Sequence, residues 1–224
     1  MSSYLELCKK ARGIAGISGL GPTTVVDQTG ILLRLVDAIQ DAWLRIQTHP
    51  KDWKWMWRDD KTITTIASTR EYVLTGIESV HRKTFKIYKT SLTETADVNR
   101  MVYIDFKEFR SRFGALQNEE TDRPVYITRT AAGNFRVHPI PDDEYIILFE
   151  YQKTPQIMTA NADVPEMPPR FHPLIIHECL KEFGGYDDAP EVQNTAAVLS
   201  GPLWNQLFWD QEYKDEDLKV VRPE

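Results

Sequence analysis

The chain has 224 residues, of which 42% are hydrophobic and 27% charged, and these values exclude a disordered, collagen-like or disulfide-scaffold protein. At roughly 150 residues per domain, the length predicts one domain, or one core with a sizeable insertion. The net charge of −6 argues against a protein that wraps nucleic acid with its whole surface and leaves room for a local basic groove.

The cysteines and the lengths of the apolar runs indicate the cellular compartment of the protein. Cys8 and Cys179 lie far apart and in no metal or redox pattern, which predicts buried thiols in a reducing compartment and leaves a disulfide open. The apolar runs fall far short of the ~20 residues of a membrane-spanning helix. The N-terminus lacks the basic flank and apolar stretch of a signal peptide. We therefore expect no membrane partner and a protein used where it is made.

The first sixty residues predict two helices joined by a glycine-rich loop. Residues 4–13 place apolar side chains one helical turn apart, and the glycines of 13–21 predict a tight loop. Residues 28–48 form the clearest helix, with Asp27 or Thr29 as its cap. Its apolar stripe consists of Leu32, Leu35, Val36, Ile39, Trp43 and Ile46. The segment 53–57 fits a helical or a strand face, and we favour a helical turn.

A β block follows from residue 61, where the apolar period changes to two. Seven strands are predicted, within 62–66, 70–74, 85–88, 102–104, 125–128, 135–138 and 144–151. Aromatic residues at helical spacing predict a short helix at 105–113. The sequence of 131–134, between two strands, predicts a hairpin turn.

Helices resume after the proline-rich segment 155–169, which predicts a stiff extended connector. The next helix has Pro173 in its first turn and is expected to end at Gly184-Gly185. The last helix runs from about Pro190 toward Tyr213, with a kink predicted at Gly201-Pro202. Its predicted inward residues are Val192, Ala196, Leu199, Leu203 and Leu207.

This order of helices, strands and helices predicts an α+β fold, in which a helical bundle core built from both chain ends carries an inserted antiparallel β domain. The predicted parts are an N-terminal helical part of the core at 1–60, a β-rich domain with a short helix at 61–155, a C-terminal helical part at 156–213 and a charged extended tail at 214–224.

The residues that could carry catalysis form no complete motif. His177-Glu178 lies on a predicted helix, but the second histidine of a zinc motif is missing because position 181 is lysine. The glycine loop at 13–21 follows a helix and lacks the Gly-Lys-Ser/Thr ending of a phosphate-binding loop. We predict no catalytic, cofactor-binding or metal-binding residue.

Six tryptophans fall in the predicted helical parts and none in the β block. They are Trp43, Trp53, Trp55, Trp57, Trp204 and Trp209. The three at 53, 55 and 57 cannot share one face of the helical turn favoured for this segment, and aromatic residues are enriched at protein interfaces. At least one is expected to contact a partner chain; complete burial within the monomer is the open alternative.

Two segments carry a more specific pattern. The first runs from Gly16 to Gly30 and continues through Ala42-Trp43, Ile46-Gln47, His49-Pro-Lys-Asp-Trp53 and Trp55-Met-Trp57. The second contains Met167-Pro-Pro-Arg-Phe-His172, a helix, and the stretch from Gly184 to Glu191. In this order around a strand-rich middle, they resemble the head-to-tail adaptor (connector) proteins of tailed bacteriophages, over roughly 12–60 and 165–212.

The resemblance implies a structural virion protein without catalysis or cofactor. Such adaptors form a ring, usually twelve-fold, beneath the portal protein at the head–tail junction after synthesis in the host cytoplasm. The ring extends the DNA channel and docks the downstream tail protein, and a C-terminal segment, here about 210–224, reaches toward the portal. Double-stranded DNA would pass without sequence-specific binding. An acidic wall suits that role because it releases few counterions from the duplex.

The tryptophan pattern and the resemblance together give the candidate contacts with another subunit or with the portal. They are Trp53, Trp55, Trp57, Trp209, Tyr213, Lys214, Leu218, Val220, Val221 and Arg222. We expect 210–224 to become ordered on the portal, since few apolar groups there could offset the loss of conformational entropy. One alternative is a tail or baseplate component whose β domain binds a protein or a glycan. Another is a hydrolase in which acids such as Asp105, Glu108 or Asp142 converge in a pocket.

Overall fold

The computed structural model describes residues 1–114, 120–186 and 189–212. They form two compact units, one made of Met1–Trp55 with Pro155–Glu224 and the other of Met56–Thr154. The first is helical and the second is rich in strands, which confirms the predicted α+β class. We call them the helical unit and the β unit.

Six α-helices occur in the described ranges, four of them in the helical unit. In chain order they are α1 (Tyr4–Ala15), α2 (Gly30–Gln47), α3 (Glu94–Asp97), α4 (Phe106–Phe113), α5 (His172–Tyr186) and α6 (Pro190–Asp210). In α1, Ser3 and Glu6 form a capping box, so the helix begins where its first N–H groups find side-chain acceptors. Gly16 ends it in the left-handed conformation, with φ 70°.

Helix α2 buries the apolar side predicted for it. Leu35, Ile39, Trp43 and Ile46 are fully buried, and α2 packs against α1 and α5. Thr29 occupies the N-cap position, but its side chain accepts no hydrogen bond from the first turn. Helix α2 therefore owes its stability to its buried stripe rather than to the predicted cap.

The prediction that Gly184-Gly185 ends α5 is wrong, because the helix continues to Tyr186. A Cβ atom on Gly184 would lie 3.1 Å from the Gln193 backbone nitrogen and 3.2 Å from the Ala189 carbonyl oxygen. Glycine at 184 therefore allows the start of α6 to approach α5 closely. Within α6 the predicted inward face is also wrong at Leu199, which is 48% exposed, whereas Ala196 and Leu207 are buried.

Eleven strands occur among the described residues of the β unit. They are β1 (Trp57–Arg58), β2 (Thr62–Thr64), β3 (Glu71–Tyr72), β4 (Ile77–Val80), β5 (Lys86–Lys89), β6 (Asn99–Arg100), β7 (Val102–Tyr103), β8 (Tyr126–Arg129), β9 (Phe135–His138), β10 (Tyr145–Leu148) and β11 (Tyr151–Lys153). Their sheets have the orders β1-β11-β4, β2-β10-β5-β6 and β3-β9-β8-β7. The predicted strand at 144–151 is in fact two, β10 and β11, which belong to different sheets.

Most strand pairs of the β unit are antiparallel, as predicted. The exception among the named strands is β7, which pairs with β8 in parallel through Val102 and Tyr126. The predicted short helix is confirmed as α4, and the predicted hairpin turn joins β8 to β9 with Gly133 at φ 86°. Strands β1, β4 and β6 escaped the sequence analysis because two-residue and partly exposed strands show little alternation.

The core of the β unit is aromatic at its centre. Phe85 stacks on Phe149 with ring centroids 5.2 Å apart, and Phe135 lies 5.2 Å from the same ring. Aliphatic side chains from β8, β9 and β10 complete it: Ile127, Val137 and Ile147. This unit therefore has a core of its own and does not depend on the tryptophans of the helical unit.

Candidate interface at the end of helix α6

The segment after α2 builds an aromatic cluster in the helical unit. The Trp53 ring stacks on Trp55 at 4.5 Å between centroids and lies parallel to Phe208 of α6 at 5.9 Å. The Trp53 Nε1–H donates to the carbonyl oxygen of Ile46 at 2.9 Å, and the side chain is only 1% exposed. Trp53 therefore packs the core of the unit rather than its surface.

Trp55 and Trp57 are both half-buried, in different units. Trp55 lies between the rings of Trp53 and Trp43. Trp57, which was expected in a helical part, belongs to β1 of the β unit. Its ring stacks on His81 at 3.5 Å, and its Nε1–H donates to Glu150 Oε2 at 2.9 Å. Trp53 and Trp55 thus belong to the helical unit and Trp57 to the β unit.

The last turn of α6 is held against the segment that follows α2. The Lys51 ammonium donates to the carbonyl oxygen of Phe208 at 3.0 Å, and the Lys54 backbone N–H donates to Gln211 Oε1 at 2.9 Å. Gln211 is buried, and Asp210 forms an ion pair with Arg170. These contacts hold the last turn of α6 against the 51–54 segment and against Arg170.

Trp209 stands out in this otherwise anchored turn because its side chain is 72% exposed. Its neighbour Trp204 instead turns inward and donates from Nε1 to Glu178 Oε1 at 2.7 Å. Among the predicted contact residues that the structure describes, Trp209 is thus the most accessible to a partner, and its role in binding stays a prediction. The predicted contacts Tyr213, Lys214, Leu218, Val220, Val221 and Arg222 lie outside the described residues.

Helix α6 also exposes apolar side chains that the sequence analysis did not select. Val198 is 74% exposed, and no residue between Glu191 and Asp210 is charged. This absence of charge over five helical turns is visible in the sequence, and it is the signal that could have identified the exposed apolar side chains of α6.

The cysteines are buried thiols, as predicted, and both are free. Burial raises the pKa of Cys8 and the pKa of Cys179 to about 12. At neutral pH these groups are therefore protonated, small apolar side chains with little nucleophilic character.

The acids of the enzymatic alternative are engaged in separate pairs. Their partners are Arg82 for Asp105, Arg112 for Glu108 and the Tyr145 hydroxyl for Asp142. Separate pairs do not amount to the convergent cluster that general acid–base chemistry requires. Glu178, next to His177, accepts from Trp204 and pairs with Lys181 at 2.6 Å. Across the described ranges, no three histidine, cysteine, aspartate or glutamate side chains are grouped to hold a metal ion.

Two comparisons bear on the identity of the chain. Residues 2–218 match the family model described as SU10 adaptor protein. No curated protein matches the sequence. In the part of the chain that the structure describes, no helix is both long and apolar enough to cross a membrane.

Proposed function

Because this chain belongs to the SU10 adaptor protein family, we propose that it is the phage head-to-tail adaptor, a structural protein of the virion that forms a ring beneath the portal. The family match over nearly the whole chain carries this proposal. In that role the protein extends the DNA channel and docks the next tail protein, and the resemblance implies twelve copies. Its function is assembly rather than catalysis, with synthesis in the host cytoplasm and residence at the head–tail junction.

The anchored end of α6 supports a role for the C-terminal tail in portal binding. Gln211 and Phe208 are both held by the 51–54 segment, so the residues that follow start from a fixed point. A fixed starting point limits the region that the twelve residues from Tyr213 to Glu224 can reach. We propose that these residues, together with Trp209, contact the portal.

The distribution of charge supports passage of DNA without tight binding. The helical unit carries 12 basic and 18 acidic residues, a net charge of −6, whereas the β unit carries 15 of each. The whole negative excess of the protein thus belongs to the helical unit. A surface with this balance neutralises few phosphates, so it holds duplex DNA weakly. A basic lumen in the assembled ring would contradict this part of the proposal.

The proposal is tested by the mass and negative-stain image of the purified protein, alone and mixed with the portal protein of the same genome. We expect closed rings, or a portal ring that gains a layer with one copy of this chain per portal subunit. A monomer that does not bind the portal at any salt concentration tested, and attaches to tails instead, would contradict the adaptor proposal. That result would favour a tail or baseplate component.

The role of the tail is tested separately with a variant that ends at Glu212. All described contacts of α6 remain in this variant, so its fold should be unchanged. We expect rings with weaker binding to the portal. A matched control replaces Val98, exposed in the β unit, by serine. Equal portal binding by the truncated and full-length chains would contradict the tail contact and leave the adaptor role intact.

A further inference from the structure

An apolar groove lies between α1, α5 and α6 of the helical unit and has a volume of about 240 Å³. Its apolar lining consists of Ile14, Leu180, Val192, Ala196 and Leu199. Leu180 and Ala196 are buried, whereas Ile14 is 52% exposed and Leu199 is 48% exposed. The groove therefore leaves two large apolar side chains in contact with water.

The exposure of Leu199 interrupts an apolar stripe of α6 that is buried on both sides of it. Ala196 and Leu207 belong to the same predicted stripe, precede and follow Leu199 along the helix, and are 2% and 0% exposed. A helix of a globular protein normally buries such a stripe against another element. Leu199 is therefore the place where α6 lacks a covering element among the described residues.

The groove and the last residue of α6 lie on the same side of this helix. Val192 in the groove and Asp210 are eighteen residues apart, which is five full helical turns and about 27 Å along the axis. Leu199 precedes Asp210 by eleven residues, so it lies about 16 Å from it along the axis and points within about 20° of the same direction. Helix α6 thus ends on the side that carries the groove.

The C-terminal tail that follows is long enough to turn back and reach the groove. An extended chain covers about 3.3 Å per residue, so about five residues span the 16 Å from Asp210 to Leu199. Leu218 is eight residues after Asp210, which leaves about three residues for the reversal of chain direction. The aliphatic residues of the tail are concentrated at this distance, since Leu218, Val220 and Val221 fall within four positions.

The charges of this tail segment and of the groove are complementary. Residues 218–222 include Lys219 and Arg222 and no acidic residue. The described lining of the groove includes the carboxylate of Glu191 and no lysine or arginine. Glu191 forms no ion pair with another described residue, so it is available to a base of the tail. An exposed pair of this kind contributes little stability, and it serves to orient the segment.

We propose that Leu218, Val220 and Val221 occupy the groove of their own subunit before the portal is bound. The apolar side chains cover Ile14 and Leu199, and the groove supplies apolar surface that the sequence does not reveal. Because the tail is tethered close to the groove, its effective concentration there is on the order of millimolar, which favours it over the tail of a second copy.

In the adaptor role proposed above, the groove and the portal compete for the same residues of the tail. This consequence rests on the proposed function, whereas the contact itself is a property of the isolated chain. Residues 218–221 leave the groove when they bind the portal. The groove thus keeps the apolar segment covered until the portal is present.

Disulfide formation in the isolated chain tests the contact. Native Cys8 and Cys179 are buried, so cysteines introduced at exposed positions are the reactive ones. The variant Leu199→Cys, Val220→Cys is oxidised mildly in dilute solution, and the intramolecular disulfide is detected by faster migration on a non-reducing gel. We expect it to form several-fold faster than in the control described next.

The matched control is Val198→Cys, Val220→Cys. Val198 is next to Leu199 and more exposed, at 74%, but it points about 100° away around the helix. The tether alone therefore gives the two pairs nearly equal rates, and only the groove favours position 199. Equal rates, or a faster reaction at position 198, would overturn the inference. Disulfide-linked dimers that increase with protein concentration would also overturn it, because they place the tail in the groove of a second copy.

Portal binding tests the competition separately. Leu199→Asp places a carboxylate in the groove and should release the tail, so we expect this variant to bind the portal more tightly than the control Val198→Asp. Circular dichroism of both variants checks that they are folded. Equal portal binding by the two variants would overturn the competition. Failure of every form to bind the portal would overturn the proposed function, whereas the disulfide rates would still decide the groove contact.

Discussion

Gln47 and Gln156 hydrogen bond to each other in both directions. The Gln47 Nε2 donates to the Gln156 carbonyl oxygen at 2.9 Å, and the Gln156 backbone N–H donates to Gln47 Oε1 at 2.6 Å. Gln47 is the last residue of α2, and Gln156 follows directly after the chain has re-entered the helical unit. One buried amide thus ties together the two chain segments that form the helical unit.

Replacing Gln47 by alanine is expected to lower the free energy of unfolding by about 1 to 3 kcal/mol, because it leaves a backbone donor and acceptor of Gln156 without their partner. Urea unfolding followed by tryptophan fluorescence measures this, since five of the six tryptophans lie in the helical unit. The control is Gln206→Ala, an exposed glutamine of α6 with a similar change in helix propensity. Equal midpoints for the two variants would contradict the prediction.

Replacing Trp53 by alanine is expected to cost much more stability than replacing Trp209 by alanine. Trp53→Ala removes a fully buried ring and the donor to Ile46, so it should cost about 3 to 5 kcal/mol of stability. Trp209→Ala removes an exposed ring and should change stability by less than about 0.5 kcal/mol. Thermal and urea unfolding of both variants provide the measurement. A large loss in Trp209→Ala would show that its ring packs within the subunit.

His172 should make the helical unit less stable in mild acid. Burial lowers the pKa of His172 below its ordinary value, while its Nδ1 accepts a hydrogen bond from the Ser2 N–H at 3.2 Å. A lowered pKa means that the unfolded chain binds the proton first. The contribution of His172 is therefore complete above about pH 6.5 and is lost as the pH falls through the folded pKa.

The check is the free energy of unfolding measured from about pH 7.5 to 5.5 in the original chain and in His172→Gln. We expect a shallower decrease in the variant, although not a flat one, because burial also lowers the pKa values of His138 and His177. An identical slope in the two proteins would contradict a role for His172.

Arg129 is expected to stabilise the β unit more than an ordinary surface arginine does. It donates to the carbonyl oxygens of Glu78 at 2.6 Å, Ile77 at 2.7 Å and Gly133 at 3.2 Å. Arg129→Met should cost about 1 to 3 kcal/mol because these acceptors lose a charged donor. Arg112→Met is the control, since Arg112 forms an exposed ion pair with Glu108, of a kind worth about 0 to 1 kcal/mol. Urea unfolding followed by circular dichroism tests the difference, and equal losses would refute it.

Sequence periodicity predicted the long elements well and the short ones poorly. Helix α2 was recognisable because a stripe of six apolar residues repeats with the helical period. Strand β1 was not, because two residues cannot show a period and because its partner Gln152 is distant in the chain. The end of α5 was misjudged because glycine is usually a local stop signal, whereas Gly184 instead makes room for α6.

The burial of Trp53 and the exposure of Trp209 also depend on contacts between residues distant in the chain. Tryptophan content alone could not separate Trp53 from Trp209, because both are large aromatic residues of the predicted helical parts. Their difference comes from α6 lying across the 49–54 segment, which covers Trp53 with Phe208 and leaves Trp209 outside. The uncharged run of α6 was readable in the sequence, but its meaning depended on knowing which side of the helix faces water.

The sequence by itself determined the α+β class, the position of the long helices and the adaptor family, because these depend on periodicity, composition and local motifs. Only the tertiary structure decided which tryptophans are buried and that Gln47 meets Gln156. Those properties arise from contacts between residues distant in the chain, and a local pattern does not specify which distant partner a side chain will meet.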